Sequence, residues 1–148
     1  MSVKKQWIAV ILVLLIMIII FGIFFTLREK SIDRISGLQI INGEVTISPT
    51  SADYENIPLT FITMENRDQY QGYLVIDLIH YFKFEPEEFK DVYFSALDGS
   101  RIIVSLEEIE TKEVMLAFED QDNSLRLIFP QDGFRNRWLK NIISLELK

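Results

Sequence analysis

Residues 8–27 carry no polar period at all: the twenty side chains are uncharged and nearly all Ile, Leu, Val, Phe or Met. As a helix rising about 1.5 Å per residue, such a run reaches about 30 Å, the thickness of bilayer hydrocarbon. Lys4, Lys5 and Trp7 precede it, and Arg28, Glu29 and Lys30 follow, the flanks expected of a spanning helix. A cleaved secretory signal has a shorter apolar region and small residues before the cut. Here Phe24-Phe25-Thr26-Leu27-Arg28 supplies no small-x-small site. The pattern predicts a tail (1–7), a transmembrane helix (8–27), a juxtamembrane linker (28–37) and one domain (38–148). Two basic residues on each side of the run nearly silence the positive-inside bias. The short tail with its α-amino group favours a cytoplasmic N-terminus, and so an extracytoplasmic C-terminal domain at the cell membrane.

After the linker the period shortens. Residues 38–48 alternate apolar and polar around Asn42-Gly43, which predicts a strand or small hairpin. Residues 49–58 are rich in Ser, Thr, Asn and Asp and read as a loop. Residues 59–64 are apolar and β-branched, a buried strand, and residues 66–72 form a polar break. Leu74, Val75, Leu78, Ile79 and Phe82 then recur at helical spacing and gather on one face, with Asp77 and His80 on the other. Pro86 closes that helix and Glu87-Glu88 open a tight turn. Strands are predicted at 92–97 and 101–104, joined by Asp98-Gly99, a hairpin signal because both residues tolerate positive φ. Ser105 with Glu108 suits a capping box for one helical turn. Strands at 114–118 and 125–129 flank a polar turn at 120–123, and residues 142–147 alternate as a terminal strand. Strands dominate over one substantial helix, so the fold class is α+β, mixed and β-rich.

Composition narrows the chemistry. Setting aside Lys4 and Lys5 leaves thirteen basic residues against twenty-two acidic ones after the apolar run, a balance of −9. Such a surface repels phosphate backbones, so nucleic acid is not an expected partner. The chain has no cysteine, which excludes disulfides, thiolate metal sites and a cysteine nucleophile together. His80 is the single histidine, leaving no pair for a zinc site, and reads as a solvated helix residue. Glu119, Asp120 and Asp122 lack the further ligands and closing Glu of a calcium loop and read as a surface turn. Glu107, Glu108, Glu110 and Glu113 read as a solvated face.

Arg135-Asn136-Arg137-Trp138-Leu139-Lys140 stands out: three cations within six residues of an acidic domain, just after Pro130 and Gly133. Two readings stay open. Guanidinium forks suit a phosphate or carboxylate, so Arg135, Arg137 and Lys140 are candidate anion-binding residues. Alternatively, Trp138 packs into the core while the cations pair with neighbouring acids.

Read in series, several short segments resemble the sulfite oxidase-like molybdopterin-binding domain. Tyr70-Gln71-Gly72-Tyr73-Leu74-Val75-Ile76-Asp77-Leu78-Ile79 is similar to its aromatic-x-Gly-x-x-x-x-Asp-Leu-Leu segment. Phe94-Ser95-Ala96-Leu97-Asp98-Gly99-Ser100 resembles its Ser-x-x-Asp-Gly strand. Val114-Met115-Leu116-Ala117 resembles its Leu-Ala strand, and Leu125-Arg126-Leu127-Ile128-Phe129-Pro130 its Arg-Leu-x-x-Pro strand. Arg137-Trp138-Leu139 through Ile142 resembles its closing basic-Trp-Leu…Ile strand. The match spans about residues 40–148. The resemblance implies a fold that holds a pterin cofactor by its phosphate and pyran groups, with a cysteine thiolate on the molybdenum. It implies that Arg137 contacts the cofactor phosphate, with Arg135 close enough to assist. Two departures bear on this. Where the cysteine falls, residues 61–66 read Phe-Ile-Thr-Met-Glu-Asn, and Asn123-Ser124 replaces the Gly-Pro before Arg-Leu.

Without the protein's own bond to the metal, oxidoreductase chemistry loses its footing. The expectation is therefore a membrane-anchored extracytoplasmic binding module of reduced molybdopterin-binding type. It leans away from being an enzyme, carries no cofactor and binds a small anionic ligand or a protein partner. Two alternatives remain: a molybdopterin-holding subunit of a membrane oxidoreductase, and a structural or assembly partner of membrane proteins.

Overall fold

In the computed structural model, which describes residues 13–20, 22, 37–119, 124–133 and 135–148, the alternation at residues 38–48 closes into a hairpin. Strands β1 (Gln39–Asn42) and β2 (Val45–Ile47) pair antiparallel, and Gly43 takes the positive φ of 58° that the tight turn demands. The chain divides into two units, Met1–Asp33 and Arg34–Lys148. In the first, residues 13–20 are helical, and the side chains from Val13 to Ile20 are all exposed. Among the described residues no helix is long and apolar enough to cross a membrane. Residues 8–12, 21 and 23–27 of the predicted span, the tail (1–7), the linker up to residue 36 and the turn at 120–123 lie outside the described residues.

The second unit is an α+β fold, rich in strands, with two sheets. One sheet has the order β2-β1-β9-β5-β6, where β5 is Asp91–Ala96, β6 Arg101–Ser105 and β9 Ile142–Leu147. Its single parallel pairing joins β1 to β9, with Gln39 opposite Ser144 and Ile40 opposite Leu145. The other sheet has the order β3-β4-β7-β8, all antiparallel: β3 Thr60–Thr63, β4 Gln69–Leu74, β7 Met115–Glu119 and β8 Ser124–Ile128. Inward residues of both sheets meet in one core, with Ile40, Phe94 and Leu145 from the first and Tyr73, Leu116 and Leu127 from the second. Because side chains alternate along a strand, the far face of the second sheet collects Leu74, Met115, Ala117 and Ile128. There they form a smaller cluster with Ile62, Tyr70 and Trp138.

Three predictions change. Residues 49–58 are not all loop: helix α1 (Ser51–Asn56) is nucleated by Thr50, whose side chain accepts from Asp53 N–H while the Asp53 carboxylate accepts from Thr50 N–H at 2.7 Å. The Thr50 hydroxyl, donating to the same carboxylate at 2.7 Å, and then the Thr50 N–H lower the Asp53 pKa. Asp in place of the usual Glu or Gln hid this capping box. The polar break at 66–72 is largely strand β4. Gly72, which reads as a turn residue, is there because a Cβ would lie 2.0 Å from the Leu116 carbonyl oxygen. Finally, β3 is an edge strand rather than a buried one, and Phe61 is 71% exposed.

The helix predicted around Leu78 is α2 (Val75–Tyr81), burying Val75, Leu78 and Ile79 and leaving His80 exposed. Pro86–Glu88 forms a single 3-10 turn. Helix α3 (Leu106–Thr111) starts at Ser105, whose hydroxyl accepts from Glu108 N–H at 3.2 Å.

Candidate functional site

The connection from β8 to β9 carries the basic cluster, and backbone bonds lay it against the second sheet. Leu127 N–H donates to the Leu139 carbonyl at 2.8 Å, and Leu139 N–H returns the bond at 3.3 Å. Trp138 is thereby set on the far face, its ring edge-on to Tyr70 with centroids 5.4 Å apart.

Arg137 turns towards α3. Its Nη2 donates to Glu108 Oε1 at 2.6 Å and to Asp132 Oδ2 at 2.5 Å, its Nη1 to Glu108 Oε2 at 3.2 Å, and its Nε to Asp132 Oδ2 at 2.9 Å. Four of the five guanidinium N–H groups are so engaged, and the plane lies 4.2 Å from the centroid of the Phe129 ring. Lys112 completes a four-charge network, 3.0 Å from Glu108 and 3.8 Å from Asp132. The Arg137 hydrogen bond is the largest cause holding the Glu108 pKa down at about 2, against the opposing effect of burial. Reciprocally, Glu108 raises that of Arg137.

Arg135 and Lys140 point elsewhere. Arg135 pairs with Asp68, in the turn between β3 and β4, and its guanidinium lies 4.9 Å over the Trp138 ring. That hydrogen bond is the main cause lowering the Asp68 pKa. Lys140, largely exposed, is 3.9 Å from Glu119 Oε1, which Arg126 Nη2 already holds at 2.5 Å. The Arg126 and Glu119 side chains are only 15% and 18% exposed. Glu119 Oε2, Ser124 Oγ, Arg126 Nε and Trp138 Nε1 are buried without a hydrogen-bond partner among the described residues.

The structure thus gives the three predicted site residues no common partner: Arg135 meets Asp68, Arg137 meets Glu108 and Asp132, and Lys140 lies near Glu119. Trp138 packs while its neighbouring cations are matched by acids of the same domain. Sequence reasoning missed those acids. Glu108 is not on a solvated face, Glu119 is not a free turn residue, and Asp68, Asp132 and Arg126 had drawn no attention as partners. Their pairings run across 5 to 67 residues of chain, and no local period signals them.

The pterin cofactor implied by the resemblance can be tested against this donor set. A phosphate gripped by the Arg137 fork has to displace Glu108 or Asp132, and the carboxylate that stays then repels it. No thiol exists to replace them at a metal, and the stretch where the cysteine falls begins on the exposed edge strand β3. These residues, as paired, do not fit that group. No protein-family model matches the chain, and no curated protein matches it.

Proposed function

We propose that this protein is a single-pass, membrane-anchored binding module, non-catalytic, whose domain lies on the extracytoplasmic side and engages a protein partner. On this reading it is a reduced molybdopterin-binding type fold whose cofactor-side cations have become internal fastenings. The observation that carries it is the closure of Arg137 by Glu108 and Asp132. An anion cradle needs donors that are free and preorganised, whereas this guanidinium ties α3 to the β8–β9 connection. A surface for a partner is offered by β3, an edge strand among the described residues, where Phe61 is exposed and Leu59 just before it is exposed as well.

The experiment is site-specific photocrosslinking in native membranes, with the photoreactive residue at Phe61 and a control at exposed Glu44. A discrete adduct at position 61, absent at 44, supports the reading. Equal or no crosslinking at both positions overturns it, as does stoichiometric molybdenum or tungsten in the purified protein.

A further inference from the structure

The end of the first sheet at which the chain enters the domain combines exposed apolar side chains with exposed cations. Following Gly37 and Leu38, β1 begins at Gln39, which stands level with Ser144 of β9; Ser144 in turn faces Ser95 of β5, and Ser95 faces Arg101 of β6. Just beyond that row lie the β5–β6 turn and the start of β9. These two tips are tied together, since Leu97 N–H donates to the Asn141 carbonyl at 2.9 Å.

Both tips end in apolar side chains aimed at solvent. Leu97 is 73% exposed at the mouth of a turn that Gly99 closes with φ 85°. Ile143 is 41% exposed because the pairing steps from Ser95↔Ser144 to Ala96↔Ile142 and passes it over. A bulge of this kind re-aims a side chain away from the core. Exposed Arg101 and Lys140 flank the tips; the Asp98 carboxylate is turned back on Ser100 N–H at 2.8 Å, and Glu119, 3.9 Å from Lys140, is already held by Arg126. Among these described residues the local balance is positive, in a domain whose overall balance is −9. At the opposite end of the sheet the tight turn carries Asn42, Gly43 and Glu44, with exposed Val45 closing it across from Asn42 and an acid, not a cation, beside it.

We propose that the Leu97 and Ile143 tips rest in the interfacial layer of the bilayer that carries the anchor, with Arg101 and Lys140 at the level of the lipid phosphates. The inference builds on the anchored reading above. The argument for lipid as occupant is the length of chain: residues 28–37 separate the apolar run from Leu38. Fully extended, they reach about 35 Å. Among them Arg28, Lys30 and Arg34 outnumber Glu29 and Asp33. A connector this short holds the entry end at high effective concentration over the membrane, so two apolar side chains and two cations suffice for a standing contact. Asp98 keeps the contact shallow, at headgroup depth rather than in hydrocarbon.

A chain without cysteine makes the test direct. Leu97→Cys, Ile143→Cys and Glu44→Cys, each in the full chain, are labelled with an environment-sensitive nitrobenzoxadiazole dye. The labelled proteins are reconstituted in phosphatidylcholine–phosphatidylglycerol vesicles containing a nitroxide lipid. Labels at 97 and 143 are expected to emit at shorter wavelength, to be quenched by the nitroxide lipid and to be shielded several-fold from aqueous iodide relative to the label at 44. If the chain stays in the vesicles after alkaline carbonate but all three labels are equally open to iodide, this proposal alone is overturned. Release by carbonate removes the anchored reading and this one with it.

Discussion

Replacing Arg137 with Gln opens the charge network that ties α3 to the β8–β9 connection, and the cost can be worked from Glu108. The carboxyl of Glu108 is held at about 2 against its ordinary value of 4.5. At about 1.4 kcal/mol per pKa unit, that corresponds to about 3 kcal/mol of stabilisation from all its partners together. Lys112 supplies part of this, and the side chain is 19% exposed, so solvent screens part of the rest. About 2 kcal/mol remains for Arg137, with a further contribution from its packing on Phe129. Arg137→Gln, Glu108→Gln and the double variant form a cycle with an expected coupling of about 1–2 kcal/mol. The measurement is urea unfolding of the full chain in nanodiscs, followed by Trp138 fluorescence in a Trp7→Phe background. Because the folded pKa of Glu108 is depressed, its contribution is fully present above about 4.5 and is lost as pH falls through about 2. The coupling is therefore steady near neutrality and shrinks in acid. A coupling below about 0.5 kcal/mol at neutral pH, or one that grows on acidification, refutes the reasoning.

Arg126→Met leaves the largely buried Glu119 carboxylate with, among the described residues, only distant Lys140 as a cation beside it, and is expected to lower unfolding free energy by about 3 kcal/mol. Adding Glu119→Leu should restore most of that loss; no restoration in the same urea assay counts against the pair as the cause. Gly72→Ala drives a methyl group into the Leu116 carbonyl and should cost at least about 2 kcal/mol, read as a lower unfolding midpoint or failure to accumulate. Phe61→Ser removes an exposed ring from an edge strand, so stability should stay within about 0.5 kcal/mol while photocrosslinking from neighbouring Thr63 falls. Loss of stability without loss of adduct argues against β3 as the partner surface.

The sequence made the fold class and most strands legible wherever a local period or turn signal existed: Asn42-Gly43, Asp98-Gly99, and the apolar face around Leu78. It failed where a residue served tertiary geometry. Gly72 looked like a break because nothing local announces a neighbouring backbone at contact distance. Phe61 looked buried because composition does not distinguish an edge strand from a central one. The basic cluster was visible as a cluster, but its partners were not. Arg137 meets Glu108 from another element, and Arg135 meets Asp68 across 67 residues. Charge can be counted along a chain, whereas neutralisation is decided only by the fold.

The position of β9 has a further consequence, for biogenesis. This strand is synthesised after every other strand of the domain, yet it lies at the centre of its sheet, parallel to the first. Until residues 142–147 emerge, the β1–β2 and β5–β6 hairpins have no shared neighbour, and Ile40, Val92 and Phe94 lack their Leu145 and Leu147 partners. Maturation therefore waits on the ribosome and proceeds by non-local pairing, the slow kind. A nascent domain in this condition is a natural client for chaperones, and loss of residues 142–147 unravels the sheet from the middle.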